Sequence, residues 1–278
     1  MNNEEFLGKL NEKLALIFTD KAKVESAMKY SLLLPGKRLR PLFIKTVCED
    51  LGGNLEFVWI PAIAVELFHT GSLVHDDLPQ IDDSPLRRGK PSCHIVYGND
   101  FAILAGDGLM LKAFQTLSQA HETTKSMLFE SFSKATFDVL IGEALDVEYT
   151  GTKRTLPEII GMYEKKTGAL FGFCFAAGAI VSGKYHLVER LERIGRVFGI
   201  WFQIIDDLKD ALLSEEEAGK TTGRDKALGK VTVLDCLGIQ ETKKFADNLF
   251  EGLQKIFERL GLNKTKSLAR NVYEMVKL

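Results

Sequence analysis

The chain has 278 residues, 45% of them hydrophobic and 27% charged, with a formal net charge of −2. That size fits one large domain over residues 1–278. The near-neutral balance excludes a bulk electrostatic drive toward nucleic acid or anionic lipid, so any anion site must be built locally from basic residues.

The start, MNNEEFLGKLNEKL, is polar and carries acids, unlike a signal peptide. Helical periodicity then runs through 6–18, 39–51, 58–77, 95–117, 125–148, 156–182, 187–213, 231–260 and 264–277. Punctuation falls between these blocks at 33–41, 78–92 and 214–230. The last of these is charged, Gly-bearing and without apolar periodicity, and reads as a surface loop and candidate lid. The uncharged stretch 167–183 carries four glycines and polar ends, which predicts a buried core helix and no membrane span. Cys48, Cys93, Cys174 and Cys236 lack CxxC spacing and read as buried, reduced thiols of a cytoplasmic protein. No alternating Val/Ile/Thr strands and no glycine-rich nucleotide loop are visible, so the expectation is an all-α domain of about ten helices.

Two acidic clusters close long apolar helices. LVHDDLPQIDD carries Asp76, Asp77, Asp82 and Asp83; FQIIDDLKD carries Asp206, Asp207 and Asp210. Pro79 should end the first helix just after Asp77, leaving Asp82 to reach back from a turn. Asp206 and Asp210 share a helix face at i and i+4. Crowded carboxylates repel one another and lose hydration, a cost that hard divalent cations remove. Oxygen-only ligands favour Mg²⁺, which keeps several waters and shares its shell with substrate phosphates.

Basic residues stand nearby in sequence: Lys37, Arg38 and Arg40 in GKRLRP, Arg87 and Arg88 in LRRGKP, then Lys166, Lys220 and Lys230. Arginine forks and lysine point charges of this kind grip phosphate oxygens. His69 lies two turns before Asp76, and Gln203 lies three residues before Asp206. Glu143 and Asp146 read as polar anchors and are left outside the site. No Ser–His or Cys–His nucleophile is visible.

At these motifs the chain resembles the trans-isoprenyl diphosphate synthases, the farnesyl and geranylgeranyl diphosphate synthase family, from GKRLRP to LGKVT. It departs from the usual pattern at Lys209 and at Val233-Leu234. The resemblance implies a helical bundle around a central active-site cavity, the isoprenoid synthase architecture. It implies that isopentenyl diphosphate condenses with dimethylallyl or geranyl diphosphate, with Mg²⁺ held by Asp76, Asp77, Asp82, Asp206 and Asp210. Arg87, Lys166, Lys220 and Lys230 would hold the allylic diphosphate. Gly36, Lys37, Arg38, His69 and Arg88 would hold isopentenyl diphosphate. Thr167 and Gln203, with Lys166, would face the forming carbocation. A homodimer without integral membrane association is also implied.

Family frequency favours a C15 farnesyl product, with C20 geranylgeranyl diphosphate as the alternative. The tail is expected to run down the helix bearing Asp76, past the small residues Gly71 and Ser72. On that reading Gly71→Tyr shortens the product. A class I terpene cyclase and a non-catalytic synthase subunit are the rival readings. A complete second acidic motif and the GKR site argue against the cyclase, and the presence of both acidic clusters argues against the non-catalytic subunit.

Overall fold

The computed structural model describes residues 1–212 and 228–276. The chain is all-α, as expected, and its backbone groups into two compact units. The first comprises Met1–Leu42 and Glu56–Phe129, the second Phe43–Leu55 and Glu130–Leu278. Helices α3 (Leu39–Asp50) and α7 (Glu122–Tyr149) contribute residues to both.

The first unit holds α1 (Asn3–Ala15), α2 (Lys23–Leu33), α4 (Trp59–Asp76), α5 (Cys93–Tyr97) and α6 (Asn99–Leu117). Asn2 caps α1 by accepting from the Glu5 amide at 2.8 Å. Phe6 of α1 stacks on Trp59 of α4 with ring centroids 4.8 Å apart. Helix α4 ends at Asp76, two residues ahead of the Leu78-Pro79 step, as the proline requires. At Gly71 its packing on α6 leaves no space for a side chain. A Cβ on Gly71 would lie 2.9 Å from the Gly106 carbonyl oxygen and 3.2 Å from Leu109 Cβ. A short hairpin, absent from the sequence reading, pairs β1 (Leu86–Arg87) with β2 (Lys90–Pro91). Its two central residues, Arg88 and Gly89, both have positive φ, 54° and 74°, as tight antiparallel turns demand.

The second unit is built on α9 (Ala169–Val181), every residue of which is buried. The uncharged stretch is thus a core helix. The unit also holds α8 (Leu156–Tyr163), α10 (Val188–Leu212), α11 (Val233–Arg259) and α12 (Asn263–Val276), with α10 packed along α9. Thr155–Glu158 and Thr232–Asp235 form capping boxes that start α8 and α11. Phe43, Phe171, Phe175, Phe198 and Trp201 form a fully buried aromatic cluster. Each such side chain contributes about 1.5–3 kcal/mol by leaving water. Glycines let α9 and α10 touch: a Cβ on Gly195 would meet the Phe171 carbonyl oxygen at 2.6 Å.

The expected segment 156–182 is continuous but not uniform. Between α8 and α9 the hydrogen bonding widens into a π turn over Glu164–Gly168. Helix α2 was not foreseen, and 95–117 is divided at Gly98, where φ is 89°. Cys48, Cys93 and Cys174 are buried free thiols as expected, but Cys236 is exposed. The candidate lid, 214–230, lies outside the described residues except at its last three positions. Among the described residues, 55–76 is long and apolar enough to cross a membrane by composition, and 61% of that window is buried.

Candidate active site

The first acidic cluster sits where α4 stops. The chain turns back so that the Asp82 amide donates to the Asp76 carbonyl at 3.0 Å and the Ser84 amide to the Asp77 carbonyl at 3.1 Å. The four residues between Asp77 and Asp82 thus form a loop that returns Asp82 to Asp76, the reach-back expected from Pro79. Asp76 and Asp82 are half-buried at this turn. Asp77 is different. It is 2% exposed, and Arg87 Nε lies 3.0 and 3.1 Å from its two oxygens, with Arg87 Nη2 closing the fork. Burial pushes the Asp77 carboxyl up from its usual range, against the pull of Arg87. A carboxylate gripped in this way is a holder of Arg87, which leaves Asp76 and Asp82 as the better-placed oxygens for a cation.

Upstream, the cationic residues separate into two roles. Arg38 is 5% exposed; its guanidinium donates to Glu66 and to the carbonyls of Leu32 and Leu34. A guanidinium buried and engaged in this way favours a structural role for Arg38 over the ligand role expected of it. Arg40, two residues on and half-buried, places Nη1 3.0 Å from His69 Nε2. Lys37 is exposed beside them. A Cβ on Gly36 would lie 2.5 Å from Arg88 Nη1, so the Arg88 guanidinium would have to move. Arg40, grouped with Lys37 and Arg38 in GKRLRP but given no ligand there, is thus seated against His69. The start of α3 at Leu39 was the available signal, since it seats Arg40 in the first helical turn while Arg38 precedes the helix at φ 47°.

Burial, then the charges of Arg40, Arg88, Arg87 and Arg38, hold His69 well below the usual histidine range. His69 is thus neutral in the folded protein. The unfolded chain binds a proton near pH 6.5 that the folded chain refuses, so stability falls as pH drops through that value. His69→Gln is expected to flatten this acid-side slope, read from urea denaturation at about pH 5, 6 and 7. An unchanged slope would remove His69 as its source.

In the second unit, the π turn presents neighbouring residues of the EKKTG segment, a common use of such turns at functional positions. Lys166 Nζ lies 2.6 Å from Asp146 and 2.8 Å from Glu143, while Lys230 Nζ reaches the same Asp146 oxygen at 3.0 Å. Two of the expected diphosphate-holding lysines therefore converge on one carboxylate. Burial alone would raise the Asp146 carboxyl, but Lys166 and Lys230 outweigh it and hold it below the usual range. Glu143 and Asp146 are the polar anchors anticipated from sequence.

Thr167 donates to Gln203 Oε1 at 2.7 Å, and Gln203 Nε2 donates to Asp207 at 2.9 Å. The Tyr163 hydroxyl donates to Asp207 and accepts from the Val233 amide at 3.2 Å. Asp207, buried at 3% exposure, organises this chain of contacts. Asp206 beside it is half-buried, and Asp210 is buried one turn further along α10. Tyr163 had no sequence signal. Tyr163→Phe withdraws a donor from Asp207 and the acceptor of Val233 N–H, and is expected to cost about 1–3 kcal/mol in urea denaturation. A change below about 0.5 kcal/mol would deny the hydroxyl that role. Lys220 lies outside the described residues.

The donor set fits magnesium by its chemistry: carboxylate oxygens alone, half of them pre-positioned by a backbone turn. Among the described residues no three acids, His or Cys form a ready-made metal cage. Mg²⁺ does not require one, because it retains waters and binds through one or two carboxylates plus substrate phosphates.

Residues 21–266 match the polyprenyl synthetase family, and the chain belongs to that family. It is 39% identical over 243 residues to the chloroplastic geranylgeranyl pyrophosphate synthase of Capsicum annuum, covering 84% of this chain and 66% of that protein. The chain thus spans about two thirds of that relative's length. Among solved structures it resembles the geranyltranstransferase of Thermotoga maritima, with 42% identity, a TM-score of 0.86 and 97% of each chain covered. It also resembles a geranyltransferase of Helicobacter pylori complexed with magnesium and isoprenyl diphosphate, with 27% identity, a TM-score of 0.88 and coverage of 96% and 95%. The fold is that of the isoprenoid synthases.

Proposed function

We propose that the chain is a magnesium-dependent prenyltransferase that condenses isopentenyl diphosphate with allylic diphosphates up to a C20 geranylgeranyl product. The observation that carries this reading is the presence of two acidic clusters, each in a unit that also gathers cations suited to diphosphate. Arg87, Arg88, Arg40 and Lys37 lie in the first unit, and Lys166 and Lys230 in the second.

Asp76, Asp82, Asp206 and Asp210 are assigned to the metal, with Asp77 holding Arg87. Magnesium, when bound, neutralises charge on the diphosphate and favours cleavage of the allylic C–O bond. Lys166, Lys230, Arg87 and, outside the described residues, Lys220 hold the departing diphosphate oxygens. Gly36, Lys37, Arg40, His69 and Arg88 hold isopentenyl diphosphate. The Thr167 hydroxyl, oriented by its bond to Gln203, is assigned to stabilise the allylic cation through its oxygen, with Gln203 as its support. The double bond of isopentenyl diphosphate attacks this cation, and the departed diphosphate accepts the proton that is then lost.

C20 replaces C15 as the favoured product because the curated relatives are named geranylgeranyl pyrophosphate synthases. The Thermotoga maritima name supports use of a geranyl acceptor on the way. Two sets of exposed apolar residues support the homodimer: Ile103, Leu104 and Leu111 on α6, and Phe137, Leu140 and Val147 on α7. The Capsicum annuum relative is chloroplastic, and a plastid stroma suits reduced thiols as well as a cytoplasm does.

The test is incubation with labelled isopentenyl diphosphate, Mg²⁺ and, separately, dimethylallyl, geranyl and farnesyl diphosphates. Extension of all three to a linear C20 chain supports the proposal. A product ending at C15 restores the farnesyl reading, and a cyclic hydrocarbon favours a cyclase.

A further inference from the structure

Glu66 lies mid-way along α4, 1% exposed, without a place in the chemistry above. It faces two arginines. Arg38 Nη1 donates to Glu66 Oε1, and Arg88 Nη2 stands 3.9 Å from the same oxygen. Both arginines have backbones in the left-handed region, φ 47° and 54°, which a side chain rarely adopts unless its surroundings enforce it. Both guanidinium groups also donate to the Leu34 carbonyl, at 3.2 and 3.3 Å. Gly36 lies against Arg88 so closely that a Cβ would displace it. One carboxylate thus ties the loop carrying Lys37 to the turn carrying Arg88.

We propose that Glu66 is a positioning residue for the isopentenyl diphosphate subsite, acting through Arg88. This rests on the prenyltransferase reading given above. Arg38, gripped by Glu66 and two carbonyls, anchors the 34–38 loop. Arg88, held by one longer ion pair and one carbonyl, is the mobile partner. Glu66 keeps its guanidinium beside Gly36 until a diphosphate takes it over. Without that carboxylate, Arg88 is free to leave the subsite, and Arg38 and Arg88 lose the buried acid they share.

The experiment compares Glu66→Gln, and Glu66→Asp as a milder change that keeps the buried charge for Arg38, with the parent protein and with both changes in an Arg88→Ala background. Affinity for inorganic diphosphate in EDTA is measured by calorimetry, and KM for each substrate is measured with Mg²⁺. Glu66→Gln is expected to weaken diphosphate binding and raise KM for isopentenyl diphosphate by about tenfold to a hundredfold, as mispositioned groups do. Glu66→Asp is expected to fall between it and the parent, with KM for geranyl diphosphate unchanged in both. In the Arg88→Ala background neither substitution should add to the loss. Unchanged diphosphate affinity in Glu66→Asp, or a full additional loss in the Arg88→Ala background, overturns the proposal. A parent protein that binds diphosphate but transfers no prenyl group overturns the functional reading instead.

Discussion

Asp76→Asn is expected to lower kcat/KM for the allylic substrate by about a hundredfold or more, because it removes charge from the group that meets the cation as the C–O bond breaks. Stability should change less than it does at Asp77, since Asp76 is half-buried while Asp77 is fully buried. Asp77→Ala should behave in the opposite order. Its carboxylate is gripped by Arg87, whose side chain is 30% exposed, so removal leaves a partly buried cation without its partner. The cost is expected to be about 3 kcal/mol, the lower end for breaking a buried pair. Steady-state kinetics and urea denaturation on the two variants check this contrast. Equal kinetic losses with equal stability would place both carboxylates on the metal, as the family resemblance implies.

Gly71→Tyr is expected to destabilise the fold by about 3 kcal/mol or more. Read from sequence, this substitution should shorten the product by flooring the tail pocket. The structure instead turns Gly71 toward α6, where a single methyl group would already stand 2.9 Å from a carbonyl and 3.0 Å from Met110 Cγ. A tyrosine ring there must push α6 away from α4 before it meets any substrate. Tm and the product spectrum of the surviving protein decide the matter. A variant as stable as the parent that stops at a shorter chain would show that the tail does run past Gly71.

The helices that carry the site were legible because their apolar periodicity is strong and their ends carry chemistry. The HDD and IDD motifs could be placed on helix termini, and Pro79 gave the turn that returns Asp82. Helix α2 was not legible because its buried face is made of Ala27, Met28, Ser31 and Leu32, too small and polar to give a clear stripe. The π turn at Glu164–Gly168 is a change of hydrogen-bond partner that side-chain periodicity does not encode, yet it presents Lys166 and Thr167. Arg38 and Arg40 look alike in GKRLRP. Only tertiary contact separates them: Arg38 is tied to Glu66, and Arg40 is seated beside His69. Asp77 was read with its neighbours for the same reason, because the fork from Arg87 comes from a hairpin the sequence did not announce.

On the proposed function, binding of an allylic diphosphate through magnesium needs both the acids around Asp76 and those around Asp206. The most direct measurement is calorimetric binding of an unreactive thiolo analogue of geranyl diphosphate, with and without Mg²⁺, to the parent, Asp76→Asn, Asp206→Asn and the double variant. Strong Mg²⁺-dependent binding by the parent, lost nearly as fully in either single variant as in the double, is the predicted result. Mg²⁺-dependent binding that survives intact in either single variant would contradict it.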